Sequence, residues 1–176
     1  DSEYLVTGLK HIGYSMTNDV DKSSIVIINT CGFLDIAREE SIDKILEIEE
    51  KKQKGLINKV IVMGCLAERY GDELQKEIPG VDKFFGSEEH EAVIRYISGK
   101  NFNLDDPDII RASLTPSHYS YLKIAEGCDN ACSFCSIPLM RGLQKSQPLR
   151  WNVEEAKRLA SRGVKELLVI AQDSTS

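Results

Sequence analysis

Short, unbroken apolar runs alternate along the chain with segments whose apolar residues recur every three or four positions. That alternation marks a parallel sheet wound with helices, so the expected fold class is α/β. Ile25-Val26-Ile27-Ile28 and Val60-Ile61-Val62-Met63 are continuous apolar runs, as strands covered on both faces require, and Lys83-Phe84-Phe85 is a weaker third strand candidate. Residues 34–54 read as a helix with Ile42, Ile45 and Leu46 on one face and charges elsewhere. Residues 67–78 read as another, stopped by Pro79-Gly80. Ser87 is placed to cap a third helix, with Val93, Ile94 and Ile97 on its apolar side and Gly99 at its end. Residues 1–100 are thus expected to form one α/β unit.

The pattern lapses over residues 101–117, where Asn101, Asn103, Asp105, Asp106, Pro107, Asp108 and Pro116 leave no periodicity, so this stretch reads as a linker. Periodicity resumes with a strand expected at 120–125, a cysteine-bearing loop, a helix at 153–162 and a strand at 166–171. Asn152 and Glu155 stand like a capping pair before that helix, and Gly163 closes it. Residues 118–176 are therefore expected to form a second unit of strand, loop, helix and strand.

The chain has 176 residues, 41% of them hydrophobic, and a formal charge of −6. No stretch approaches the roughly 20 apolar residues of a membrane helix, so no membrane role is expected. Lys51-Lys52-Gln53-Lys54 is the densest basic run and reads as a solvated helix end. With acidity spread along the chain, no nucleic-acid contact is expected.

Five cysteines change the picture. Cys128, Cys132 and Cys135 form a C-x3-C-x2-C run that can present three thiolates to one iron–sulfur cluster. An iron left unclaimed by cysteine can bind a small molecule, so this loop is the candidate reaction centre. Zinc is the rival metal, although its usual paired C-x2-C units are missing. A disulfide suits the chain poorly, because the count is odd and no apolar signal stretch opens the sequence. A reducing cytoplasm is the expected setting. Cys31 and Cys65 each follow a strand candidate directly, where the carboxyl edge of a parallel sheet places ligands, and are expected to lie close together. Either alone could be a buried small hydrophobe; as a pair at equivalent strand ends they are candidate metal ligands.

The three-cysteine run resembles the signature of the radical S-adenosylmethionine (SAM) enzymes, in which SAM occupies the open iron. Asn29-Thr30-Cys31-Gly32-Phe33, Ala37-Arg38-Glu39-Glu40-Ser41-Ile42, Gly64-Cys65-Leu66-Ala67-Glu68-Arg69-Tyr70 and the opening Asp1-Ser2-Glu3-Tyr4-Leu5 resemble the methylthiotransferase family within that superfamily. The wording after Cys31, the stretch from Cys135 to Gly142 and the closing Ile170-Ala171-Gln172-Asp173-Ser174-Thr175 resemble its RimO-type, ribosomal-protein branch more than the transfer-RNA branch; Gln147 departs from it.

That resemblance implies two four-iron clusters with SAM as cofactor. One would sit on Cys128, Cys132 and Cys135. The other would use Cys31, Cys65 and a third cysteine expected just ahead of Asp1. The reaction implied is methylthiolation of the β-carbon of an aspartate in a small-subunit ribosomal protein, driven by a SAM-derived radical, with a low-potential electron donor such as flavodoxin or ferredoxin. Residues 118–176 would be the start of a TIM-like radical SAM barrel. Most of that barrel and a carboxyl-terminal substrate-recognition domain have no counterpart here, so the chain by itself is expected to be inactive. Phe134 would contact adenine or pack beneath the loop. Gln172, Asp173 and Ser174 would approach the SAM amino group or simply form a turn, and Arg141 would meet a carboxylate of SAM, of substrate or of a neighbouring side chain. Trp151 reads as a core or interface residue. His11, His90 and His118 show no ligand spacing, and no side chain is assigned as catalytic. The competing class is a non-catalytic iron–sulfur module for electron transfer or sensing.

Overall fold

The computed structural model describes residues 2–103 and 109–175. Asp1, Asp105, Asp106, Pro107 and Asp108, all used in the reading above, lie outside them. The chain divides into two compact units, Asp1–Ala112 and Ser113–Ser176.

The first unit opens with a helix that the hydrophobic pattern did not announce, α1 (Ser2–His11). Then come β1 (Ile25–Thr30), α2 (Asp35–Gln53), β2 (Lys59–Gly64), α3 (Cys65–Glu77), β3 (Lys83–Phe85) and α4 (His90–Ser98). The strands lie in the order β1-β2-β3, all parallel. β2 is central, and Val60, Ile61, Val62 and Met63 are at most 1% exposed, which explains its unbroken apolar sequence. Alternate side chains leave opposite faces of a strand. Val60 and Val62 accordingly join Ile45 and Ile48 of α2 and Leu66 of α3, whereas Ile61 and Met63 join Leu5 and Leu9 of α1 and Val93 and Ile94 of α4. The result is three layers, with the sheet between two pairs of helices.

Two details depart from the sequence reading. On α2 the inward stripe runs through Ile45 and Ile48, while Leu46 is 46% exposed, because a helix turns about 100° per residue and Leu46 is carried off the face that Ile45 and Ile48 share. Ser87 does not occupy the cap of α4. That position belongs to Glu89, whose carboxylate accepts from Gly86 N at 2.6 Å, while Ser87 N donates to Glu68 Oε2 at 3.0 Å. Gly99 ends α4 as expected, in the left-handed conformation. Beyond α4, the chain returns to α1. Arg111 Nε stands 3.3 Å from Glu3 Oε2, and Ala112 N donates to Thr7 Oγ1 at 2.8 Å.

The second unit contains β4 (Tyr119–Lys123), β5 (Ala125–Glu126), α5 (Ile137–Arg141), β6 (Lys145–Ser146), α6 (Leu149–Ser161) and β7 (Glu166–Ile170). β4 and β7 are parallel and joined through α6, a βαβ unit with Leu122 and Leu159 buried. The strand expected at 120–125 is in fact two. The break at Ile124 frees Ala125 and Glu126 to pair antiparallel with Lys145 and Ser146. α6 also begins earlier than its sequence suggests, at Leu149 after Pro148. Proline's fixed φ and missing N–H make it a natural boundary. Asn152 lies inside this helix, its N–H donating to Pro148 O, and Glu155 is buried, so the two do not form a capping pair. Trp151 is half-buried on the same helix.

Candidate metal centres on two strand edges

In the first unit, Thr30 pairs in register with Gly64, so Cys31 and Cys65 leave neighbouring parallel strands at the same level. Neighbouring strands are about 4.8 Å apart. The approach is closer still at Gly32, where a Cβ would stand 2.9 Å from the carbonyl of Cys65 and from Leu66 N. Gly64 sets the geometry. Its φ of +106° is unfavourable for any residue with a side chain, and a Cβ there would meet Thr30 O at 2.5 Å. Cys65 follows as the first residue of α3, at the helix end whose aligned peptide dipoles favour negative charge.

Polar side chains absent from the sequence-based site hold this edge together. Thr30 Oγ1 donates to Met63 O at 2.7 Å in the buried interior, and Asn29 Nδ2 donates to Ser2 Oγ at 2.9 Å. Ser41 Oγ accepts from Cys31 N at 3.2 Å and donates to Ala37 O at 2.7 Å, so the second turn of α2 steadies the cysteine's backbone. Cys31 is exposed and Cys65 half-buried, and neither is in a disulfide. The edge thus offers two thiols from adjacent strands.

The second unit carries the other three cysteines on the loop between β5 and α5. Gly127, at φ +76°, leads into it, with its Cα against the carbonyls of Gly142 and Leu143. Cys128 N donates to Gly142 O at 3.2 Å, Cys135 N donates to Cys132 O at 3.1 Å, and Gln144 N donates to Asp129 Oδ1 at 2.8 Å. These bonds pin both ends of the loop and leave Cys132 exposed and Cys128 and Cys135 half-buried. All three are free thiols. Among the described residues, no three His, Cys, Asp or Glu side chains converge enough to hold a metal ion.

Two side chains tie this loop to the end of β7. Glu126 Oε1 accepts from Gln172 Nε2 at 2.6 Å and lies 3.5 Å from an Arg141 guanidinium nitrogen, while its Oε2 is 2.5 Å from Lys123 Nζ. Asn130 Nδ2 stands 3.4 Å from Cys128 Sγ and 3.1 Å from Asp173 Oδ2. Asp173 Oδ1 also accepts from the amide and hydroxyl of Thr175, closing a turn. Arg141 therefore meets a neighbouring acidic side chain, the third of its expected partners. Phe134 is 90% exposed and does not pack beneath the loop. His11 and His90 have aromatic neighbours in Phe102 and Tyr4, and His118 sits beside Tyr119. Glu126 and Asn130 were invisible as site residues because their partners lie 46 and 43 positions away.

The donor chemistry of the loop fits an iron–sulfur cluster. Three thiols within eight residues, none in a disulfide, are soft ligands, and the described loop residues hold no competing imidazole. Residues 1–86 match the model of Uncharacterized protein family UPF0004. The ribosomal protein uS12 methylthiotransferase RimO of Flavobacterium johnsoniae is 49% identical over 180 residues, which cover 99% of this chain and 40% of the relative. The chain belongs to the RimO-type methylthiotransferases. Their members from Symbiobacterium thermophilum and Christiangramia forsetii are 44% and 50% identical, again over 99% of this chain and 38% of the relative. The chain thus spans about 40% of the length of these RimO-type relatives. No described helix is long and apolar enough to cross a membrane.

Proposed function

We propose that the chain is the cluster-bearing amino-terminal part of an enzyme that methylthiolates the β-carbon of an aspartate in ribosomal protein uS12. The observation that carries this reading is near-50% identity to RimO-type relatives along the whole chain, across both cysteine-bearing edges. The transfer-RNA branch is not favoured by these relatives. In this reading Cys128, Cys132 and Cys135 hold one four-iron cluster. Cys31 and Cys65 contribute to a second.

A SAM molecule bound to such a cluster supplies the radical chemistry that an unactivated C–H bond demands, since acid–base groups have little hold on that bond. The chain's own residues provide position. Gly127 takes a positive φ where the loop leaves β5, and Gln172 and Asp173 stand past the carboxyl end of β7 beside the loop. Phe134, exposed next to Cys135, is available to stack on adenine. Lys123, Glu126 and Arg141 form a half-buried charged cluster that fixes Gln172. Thiols separate in the free chain would be drawn together as the cluster assembles, as in other metal sites that form on binding. A cytoplasmic location and a low-potential one-electron donor of the flavodoxin or ferredoxin kind follow from this chemistry.

The test is anaerobic reconstitution of the chain with iron and sulfide, followed by addition of SAM. A SAM-dependent change in the electron paramagnetic resonance spectrum of the reduced cluster is expected. A spectrum indifferent to SAM would favour a non-catalytic electron-transfer module.

A further inference from the structure

The side-chain amide of Asn130 reaches Cys128 Sγ at 3.4 Å and Asp173 Oδ2 at 3.1 Å through the same nitrogen. A carboxylate and a metal-bound thiolate both only accept hydrogen bonds. The NH2 end of the amide must therefore face both partners, and its two N–H groups match two acceptors. We propose that Asn130 is a positioning residue that directs an N–H group at the Cys128 thiolate and thereby makes the loop's cluster easier to reduce, with Asp173 holding the amide in that direction. The inference rests on the reading of Cys128, Cys132 and Cys135 as cluster ligands.

The physical reason is charge. An electron entering an iron–sulfur cluster increases negative charge on its sulfurs, and a hydrogen-bond donor aimed at one of them stabilises the reduced form more than the oxidised form. The two residues before Asn130 are held in place, since Cys128 N donates to Gly142 O and the Asp129 side chain accepts from Gln144 N through Oδ1. Asparagine is suited to the position by its chemistry. Alanine would remove both bonds, and aspartate would set a third acceptor against two others.

The experiment compares the unaltered chain with N130A and N130D after anaerobic reconstitution. Iron and acid-labile sulfide are measured first. The cluster is then titrated with dithionite, a one-electron source, at defined potentials and followed by electron paramagnetic resonance. The expected result is equal cluster loading in all three, with reduction of N130A disfavoured about threefold to tenfold, tenfold being about 59 mV for a one-electron couple. N130D should shift further in the same direction. An unchanged potential at full loading overturns the proposal, as does loss of loading in N130A, which would make Asn130 a structural brace of the loop. Failure of the unaltered chain to take up a cluster is a different result: it removes the cluster reading itself and this inference with it.

Discussion

At the scale of single residues, the cysteine-bearing edge of the first unit depends on a backbone that tolerates no side chain at one point. Gly64→Ala combines an unfavourable positive φ with a clash against Thr30 O, and is expected to cost about 2–3 kcal/mol, read as a lowered denaturation midpoint in urea. Asp82 behaves differently because its contribution depends on pH. Burial pushes its carboxyl up, but the Lys52 ammonium at 2.6 Å, the Val60 amide at 2.7 Å and nearby positive charge outweigh burial and hold it below the usual carboxylate range. A carboxyl with a lowered folded-state pKa stabilises the fold above its ordinary value of 3.8, and that stability is lost as pH falls through the lower folded value. Asp82→Asn should therefore cost about 1–2 kcal/mol near neutrality. Its difference from the unaltered chain should shrink in denaturation curves taken progressively below pH 4.

At the scale of elements, burial distinguishes neighbours that the hydrophobic pattern treated alike. Ile45 of α2 is fully buried and Leu46 is 46% exposed. Ile45→Ala is expected to cost about 2–4 kcal/mol through lost burial and the cavity left behind, whereas Leu46→Ala should stay within about 0.5 kcal/mol. Equal losses in chemical denaturation would contradict the orientation of α2. The same logic explains why α1 was hard to see. Thr7 and Gly8 sit in its middle and lower helix propensity. Tertiary contact overrides that weakness, because Leu5 and Leu9 complete the core formed by Ile61, Met63, Val93 and Ile94.

At the scale of the whole molecule, the two units present unequal sets of thiols: two on the first and three on the second. Anaerobic reconstitution should therefore load about one four-iron cluster per chain, reported by iron and sulfide analysis. Cys132→Ala should abolish loading of the second unit, while Cys31→Ala should leave it intact. By itself the sequence determined the α/β class and the apolar strands at 25–28 and 60–63, since a strand covered on both faces must be apolar throughout; that the second of these is the central one was decided by the fold. The sequence also determined the cysteine run and, through its wording, the family, because ligand type and spacing are local properties of the chain. Only the tertiary structure decided that α1 exists, that Leu46 faces outward, that α6 begins at Leu149, and that Glu126 and Asn130 bind residues at the end of β7. Each of those outcomes is set by a partner distant in sequence. A pattern of neighbours along the chain carries no record of contacts made after it folds back on itself.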